Sequence, residues 1–204
     1  MRAKKTETVV RQEQILQAAL ELAGQEGVCN LSISGIAERV GIVPSALYRH
    51  FKSKDEVLDG ILDLLKERLF GNVDYVRKHT SEPLKRLEML LMRHIRLLSK
   101  NPSFLYVVFS DGIFNGRPER KTRVAEIMRG YLGRIQQIIE EGRQEGSIRK
   151  DVDPKTASIM FLGIILPAAV ISNVSGKDFD MVAHAERAWP AFLRYIAEQK
   201  RPEP

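Results

Sequence analysis

Leu31-Ser-Ile-Ser-Gly-Ile-Ala-Glu-Arg-Val-Gly-Ile-Val-Pro-Ser-Ala-Leu-Tyr-Arg-His-Phe-Lys-Ser-Lys54 is the stretch that decides the fold of this 204-residue chain. It reads as two short helices joined by a tight turn at Gly41, with a third helix beginning near Lys54. Ser32 or Ser34 can cap the first helix by accepting from its free N–H groups. Ile36, Ala37 and Val40 supply an apolar face at helical spacing. Gly41 follows as the residue past the helix end, where a left-handed backbone costs glycine little. Pro44 suits the first turn of the next helix, because its missing N–H would have no partner there. In that second helix Leu47 and Phe51 form the buried stripe. Val43, Ser45, Ala46, Tyr48, Arg49 and His50 are left to face outward, a surface suited to a DNA major groove. The pattern is a helix-turn-helix.

The longer run Ser34 to Leu58, with Gly41, Pro44, Tyr48, Phe51 and Lys54 in register, resembles the N-terminal signature of the tetracycline-repressor (TetR) family of bacterial transcription regulators. Glu141-Gly-Arg-Gln-Glu-Gly-Ser-Ile-Arg-Lys-Asp-Val-Asp-Pro154 is similar to the usual end of the long regulatory-domain helix in that family. The resemblance implies an all-α protein of two parts. A three-helix DNA-binding domain would occupy residues 9–69, with the helix-turn-helix at 32–51. A larger helical domain for regulation, ligand binding and dimerisation would occupy 70–200. It also implies a homodimeric repressor on double-stranded operator DNA, released by a small apolar effector. A TetR-like activator or a ligand-independent regulator is the alternative, and a helical interaction protein a remote one.

Composition agrees with a folded nucleic-acid binder. With 44% hydrophobic residues the chain can bury a core, and its net charge of +6 favours a polyanionic partner. Cys29 is the only cysteine, which excludes an intrachain disulfide and points to a reducing cytoplasm. Cys29 itself reads as a small residue in the turn after the first helix. The polar start of the chain does not resemble a signal peptide. The longest apolar run, Ile159 to Ile171, is shorter than the ~18 residues of a membrane span and reads as a buried helix, so no membrane partner is expected.

Helical periodicity continues along the chain. A first helix is expected over residues 8–26, with Ile15, Ala18, Ala19 and Leu22 on one face; Arg2, Lys4 and Lys5 would precede it as a flexible arm on DNA. Val57, Ile61, Leu64, Leu65 and Leu69 mark a helix leaving the small domain. Leu84, Leu87, Leu91 and Leu98 form the stripe of another, broken at Asn101-Pro102. Asp111 to Lys121 carries turn signals and reads as a loop able to act as a gate. A long helix follows, with Val124, Ile127, Met128, Tyr131, Ile135, Ile138 and Ile139 inward, and Gly142 and Gly146 closing it. Asp153-Pro154 caps the next helix, and the last carries Val182, Ala185, Trp189, Phe192 and Ile196.

Affinity for DNA comes from phosphate contacts, and specificity from groups at base edges. The TetR resemblance places Tyr48, His50 and Lys54 on the backbone and Pro44, Ser45 and Ala46 on the base-reading edge. Arg49 is then the side chain able to make a bidentate guanine contact. Ser32 and Ser34 at the first helix start, and Val43 before the second, complete the expected DNA surface.

The apolar helix after Pro154 has two faces. Phe161, Ile165 and Ala169 can serve the internal core. Met160, Gly163, Ile164, Pro167 and Ile171 then need a partner, and with Trp189 and Phe192 they form the expected dimer interface. His94 continues the leucine stripe inward, as a satisfied core histidine or as the polar anchor of a ligand pocket. Phe104, Tyr106, Phe109, Met128, Tyr131 and Phe161 would line that pocket, apolar with a few polar groups. His50, His79, His94 and His184 show no metal-ligand spacing. No nucleophile–base motif or phosphate-binding glycine loop is present, so neither a catalytic site nor a cofactor is expected.

Overall fold

The computed structural model describes residues 2–113, 117–175 and 178–198, with side chains from Glu7 onward. Among these residues the elements are α1 (Arg2–Glu26), α2 (Ile33–Val40), α3 (Pro44–Leu47), α4 (Lys54–His79), α5 (Pro83–Lys100), α6 (Ser103–Val108), α7 (Pro118–Glu145), α8 (Pro154–Ser175) and α9 (Met181–Ile196). The fold is all-α. The residues cluster into two compact units: unit 1 is Met1–Arg68 with Asn101–Glu126, and unit 2 is Leu69–Lys100 with Ile127–Pro204. Segment 101–126, which the sequence assigns to the 70–200 domain, therefore clusters with the N-terminal residues.

Unit 1 is built on α1, α2, α3 and the start of α4. Ile15, Ala19, Leu20, Ile36, Leu47, Val57, Ile61 and Leu62 are its buried apolar centre. α6 lies on α1 so closely that a Cβ at Gly24 would sit 2.1 Å from the Ser103 hydroxyl oxygen. Any larger residue at that position must push the two helices apart. Arg68 ties three helices together. Its guanidinium donates to Asn101 at 3.1 Å and to Gln17 at 3.3 Å, and lies 5.7 Å from the centre of the Phe104 ring. The backbone is helical from Arg2, where the sequence reads an arm. α7 begins at Pro118, inside the segment read as a loop; residues 114–116 of that expected gate lie outside the described residues.

Unit 2 has a denser apolar centre, with Leu87, Leu90, Leu91, Ile95, Ile135, Ile138, Ile139, Phe161 and Ile165 fully buried. Phe161 meets Phe192 edge-on at 5.9 Å, and Trp189 lies 6.0 Å from Phe192. Glu141 receives Arg77 at 2.9 Å and Arg86 at 2.7 Å. Asp153 caps α8 by accepting from the Thr156 N–H at 2.8 Å, and Asp180 caps α9 from Val182 and Ala183. Arg149 N–H donates to the Ile196 carbonyl at 2.9 Å, pinning the end of α9 to the segment after α7.

α8 differs from its sequence reading in length. At 22 residues, with a window of mean hydropathy 2.1, it is long and apolar enough to cross a membrane. Its two faces separate in burial. Ala157, Ser158, Phe161, Leu162, Ile165, Ala168 and Ala169 turn inward, whereas Ile159, Met160, Val170, Ile171 and Val174 remain exposed.

Candidate nucleic-acid interface

The helix-turn-helix forms from local chemistry. Ser32, not Ser34, is the cap: its hydroxyl accepts from Gly35 N–H at 3.1 Å, and Ser34 lies inside α2 with its hydroxyl 3.2 Å from that of Ser32. Such a cap contributes ~1 kcal/mol to a helix that is too short to stand alone. Gly41 takes φ 74°, its N–H bonding back to Glu38, and Ile42 N–H reaches the Ala37 carbonyl at 2.9 Å. Pro44 is the first residue of α3, and its fixed φ fits that turn.

α3 is shorter than the sequence predicts. Regular helix stops at Leu47, and Tyr48 to His50 continue as turns, with Phe51 N–H still bonded to Leu47 O at 3.0 Å. The side chains nevertheless divide as the spacing requires. Leu47 and Phe51 are buried. Val43 is 63% exposed and Tyr48 52%; Ser45 and Arg49 are exposed, and Ala46 and His50 half-buried.

The start of α4 is capped from both directions. Ser53 hydroxyl accepts from Glu56 N–H at 3.2 Å, and the Glu56 carboxylate accepts from Lys52 N–H at 2.7 Å. Lys54 Nζ donates to the Cys29 carbonyl at 2.8 Å, which ties α4 to the turn after α1 and keeps the ammonium beside the helix start. Its remaining protons are chemically able to serve an anion there.

Sequence reasoning missed an ionic ladder in unit 1. Asp55, Asp59 and Asp63 are spaced by four along α4, and Arg117, Arg120 and Arg123 by three at the start of α7. Arg117 meets Asp55 at 2.6 Å. Arg120 meets Asp55 at 2.6 Å and Asp59 at 2.8 Å, and Arg123 meets Asp63. Arg120 is buried and also donates to the Asp55 backbone carbonyl at 3.1 Å. The bond from Arg120, reinforced by the charges of Arg120, Arg117 and Lys54, holds the Asp55 carboxyl below the usual carboxylate range. The signal was a regular run of aspartates and another of arginines, 60 to 65 residues apart, with nothing local to announce the pairing.

The residues expected to line one ligand pocket are shared between the two units. Phe104 is core of unit 1, and Tyr106 and Phe109 are exposed there, because α6 turns Phe104, Leu105, Val107 and Val108 inward instead. In unit 2, His94 and Tyr131 are both buried and joined, Nδ1 to hydroxyl, at 3.1 Å. Burial lowers the His94 pKa to about 3 and raises that of Tyr131, so the pair is neutral. Phe161 is buried and Met128 half-buried in the same unit.

The expected dimer residues also divide. Met160, Gly163, Pro167 and Ile171 lie on the open face of α8, and Ile164 at its edge. Trp189 and Phe192 do not join that face. They are buried, because the α9 stripe Met181, Ala185, Trp189, Phe192 and Ile196 packs into unit 2's own core. Ile159, Val170 and Val174 take their place as exposed apolar side chains, Val174 at 85%.

A family model described as "Bacterial regulatory proteins, tetR family" matches residues 15–61. Another, described as "YsiA-like protein, C-terminal region", matches residues 55–194. The chain belongs to the TetR family. As a TetR-family protein it is a DNA-binding transcription regulator. It is 26% identical to the fatty acid metabolism regulator protein of Bacillus subtilis over 173 residues, 83% of this chain and 87% of that protein. It is likewise 26% identical to the nucleoid occlusion factor SlmA of Aliivibrio fischeri, over 82% of this chain and 81% of that one. Among solved structures, the fatty acid degradation regulator FadR from Bacillus halodurans superposes with a TM-score of 0.75 at 21% identity. That match covers 89% of this chain and 97% of FadR. FadR from Bacillus subtilis in complex with stearoyl-CoA gives 0.74 at 23% identity, over the same shares of the two chains.

Proposed function

We propose that this TetR-family regulator is a homodimeric repressor, acting in the cytoplasm, whose hold on operator DNA is released by a largely apolar ligand of the long-chain acyl thioester class. The observation that carries the DNA half is the division of the recognition segment. Leu47 and Phe51 are anchored inside, and Val43, Ser45, Tyr48 and Arg49 stand outside. In this reading Tyr48, His50 and Lys54 hold phosphates, Pro44, Ser45 and Ala46 lie along base edges, and Arg49 reads a guanine. The expected half-site spacing is ~34–36 Å or a multiple, on a near-palindromic operator.

The exposed apolar face of α8 supports the dimer. A row of Met160, Gly163, Pro167, Ile171 and Val174 is the kind of surface that a second, identical helix covers across a two-fold axis. The ligand class rests on the relatives. The C-terminal model is YsiA-like, the Bacillus subtilis relative regulates fatty acid metabolism, and a structural neighbour holds stearoyl-CoA. Within unit 2 the candidate lining narrows to His94, Met128, Tyr131 and Phe161, among α5, α7 and α8. Lys54 and Leu69 to His79 belong to one helix, so a ligand that shifts the later part of α4 acts on the DNA-binding part through its backbone.

The test is fluorescence anisotropy with the DNA upstream of the gene, with and without stearoyl-CoA, alongside sedimentation. A dimer released from DNA by the thioester is expected. A coupling of ~1–3 kcal/mol changes operator affinity ~5–150-fold, and by linkage operator must weaken thioester binding by the same factor. A monomer at micromolar concentration, or thioester affinity indifferent to operator, would overturn the corresponding half.

A further inference from the structure

The first turn of α4 has a problem that its sequence does not solve. Lys54, proposed on a backbone phosphate, is followed directly by Asp55, and Asp59 lies one turn on. Acidic residues favour a helix start through the helix dipole, and α4 gains that benefit here. The same carboxylates repel a DNA phosphate approaching that helix start. Glu56 is already engaged with the Lys52 N–H. Asp55 and Asp59 are engaged from the far side of the chain, by Arg117 and Arg120.

We propose that Arg117 and Arg120 are positioning residues for DNA binding: they hold the Asp55 carboxylate back from the phosphate received beside Lys54 and cancel its charge. The inference rests on that assignment of Lys54. Three observations carry it. Both Asp55 carboxylate oxygens are taken, one by each guanidinium, each at 2.6 Å. Arg120 is buried, reaches Asp59 and the Asp55 carbonyl as well, and so fixes the backbone of that turn together with the carboxylate. Lys54 Nζ is held by the Cys29 carbonyl, so the cation and the anion of one helical turn are drawn to different neighbours. Lys54, Asp55, Glu56 and Asp59 together carry a net charge of −2, which Arg117 and Arg120 bring to zero.

Arg117 is the informative position, because it is exposed and a surface ion pair adds little to stability. The measurement is anisotropy of the full-length protein on a labelled nonspecific DNA duplex across a salt series. A phosphate effect does not depend on sequence. Arg117→Gln is expected to weaken binding about three- to tenfold, in line with an uncovered charge near a phosphate. Asp55→Asn in the Arg117→Gln background is expected to restore wild-type affinity or exceed it. Arg120→Lys, which keeps the charge but loses the fork, is expected to fall between.

A direct phosphate contact by Arg117 gives a different result. The double variant then stays weak and the log–log salt slope falls by about one per contact. That outcome, or an Arg117→Gln variant of unchanged affinity, overturns the inference. Lys54→Ala is measured alongside. If it is silent while the Arg117–Asp55 pair behaves as expected, only the Lys54 assignment falls. If it weakens binding while Asp55→Asn fails to rescue, only the arginine inference falls.

Discussion

α3 and α8 each bury one face and leave the other open, but the open faces are opposite in chemistry. Outside α3 and the turn that follows it stand Ser45, Tyr48 and Arg49, with the apolar residues Val43 and Pro44. Outside α8 stand Ile159, Met160, Val170, Ile171 and Val174, without a charge among them. A wet, polyanionic partner is met by hydroxyls and guanidinium groups that keep hydrogen bonds through water. A dry partner is met by surface whose removal from water is itself the driving force, ~25 cal/mol per Å² of apolar area. The inward faces are alike, Leu47 and Phe51 in one and Phe161 and Ile165 in the other. Only the outward faces differ in chemistry.

The largest expected effect tests the apolar face. Ile171→Asp places a charge where a second copy of α8 is proposed to sit, and an unpaired buried charge costs ~3–5 kcal/mol. Sedimentation should show the dimer weakened a hundredfold or more, with circular dichroism unchanged because Ile171 is exposed in the protomer. A dimer of undiminished affinity would remove α8 from the interface.

Leu47→Ala breaks the inward anchor of α3 while leaving its outer face intact. The side chain is fully buried, so unfolding free energy should fall by ~2–5 kcal/mol. Thermal melting should show the loss, and DNA binding should fall with it. Melting unchanged within error would mean that Leu47 is not part of the packed core.

His94 sharpens the contrast from inside unit 2. Burial lowers its pKa from 6.5 to about 3, so the folded state keeps it neutral while the unfolded chain protonates below about pH 6.5. Its contribution is thus complete above that pH and is lost as pH falls toward 3. Urea unfolding at pH 5 and pH 7 should differ by ~2 kcal/mol more in the wild type than in His94→Phe. Equal differences in both proteins would show that His94 is solvated.

The smallest effect concerns the wet face. Arg49→Ala should cost ~1–3 kcal/mol of discrimination at one base pair of the operator, with nonspecific affinity little changed. Equal weakening on every sequence would make Arg49 a phosphate contact.

Much of unit 1 was legible because its signals are local. Ser32, Gly41, Pro44 and Leu47 lie within 16 residues and act through backbone bonds over three or four positions. The outward residues of α3 follow from the same period. Which candidate ligand residues turn inward was not legible. An aromatic in Phe104 to Phe109 shows that a segment has an apolar side, but not which helix that side meets. The same holds for Trp189 and Phe192, apolar enough for an interface and claimed by the core of their own unit.

By itself the sequence determined the all-α class, the helix-turn-helix, the cap at Asp153, the Gly41 turn and the inward aim of His94. These depend on periods and on backbone hydrogen bonds between near neighbours. Tertiary structure alone decided that Asp55, Asp59 and Asp63 face Arg117, Arg120 and Arg123, and that His94 meets Tyr131. It also decided that Trp189 and Phe192 pack into their own unit while Ile159, Val170 and Val174 stay exposed on α8. Those outcomes depend on which faces touch after the helices assemble. Charge and hydrophobicity have no memory of chain position, so any matching surface would have satisfied them.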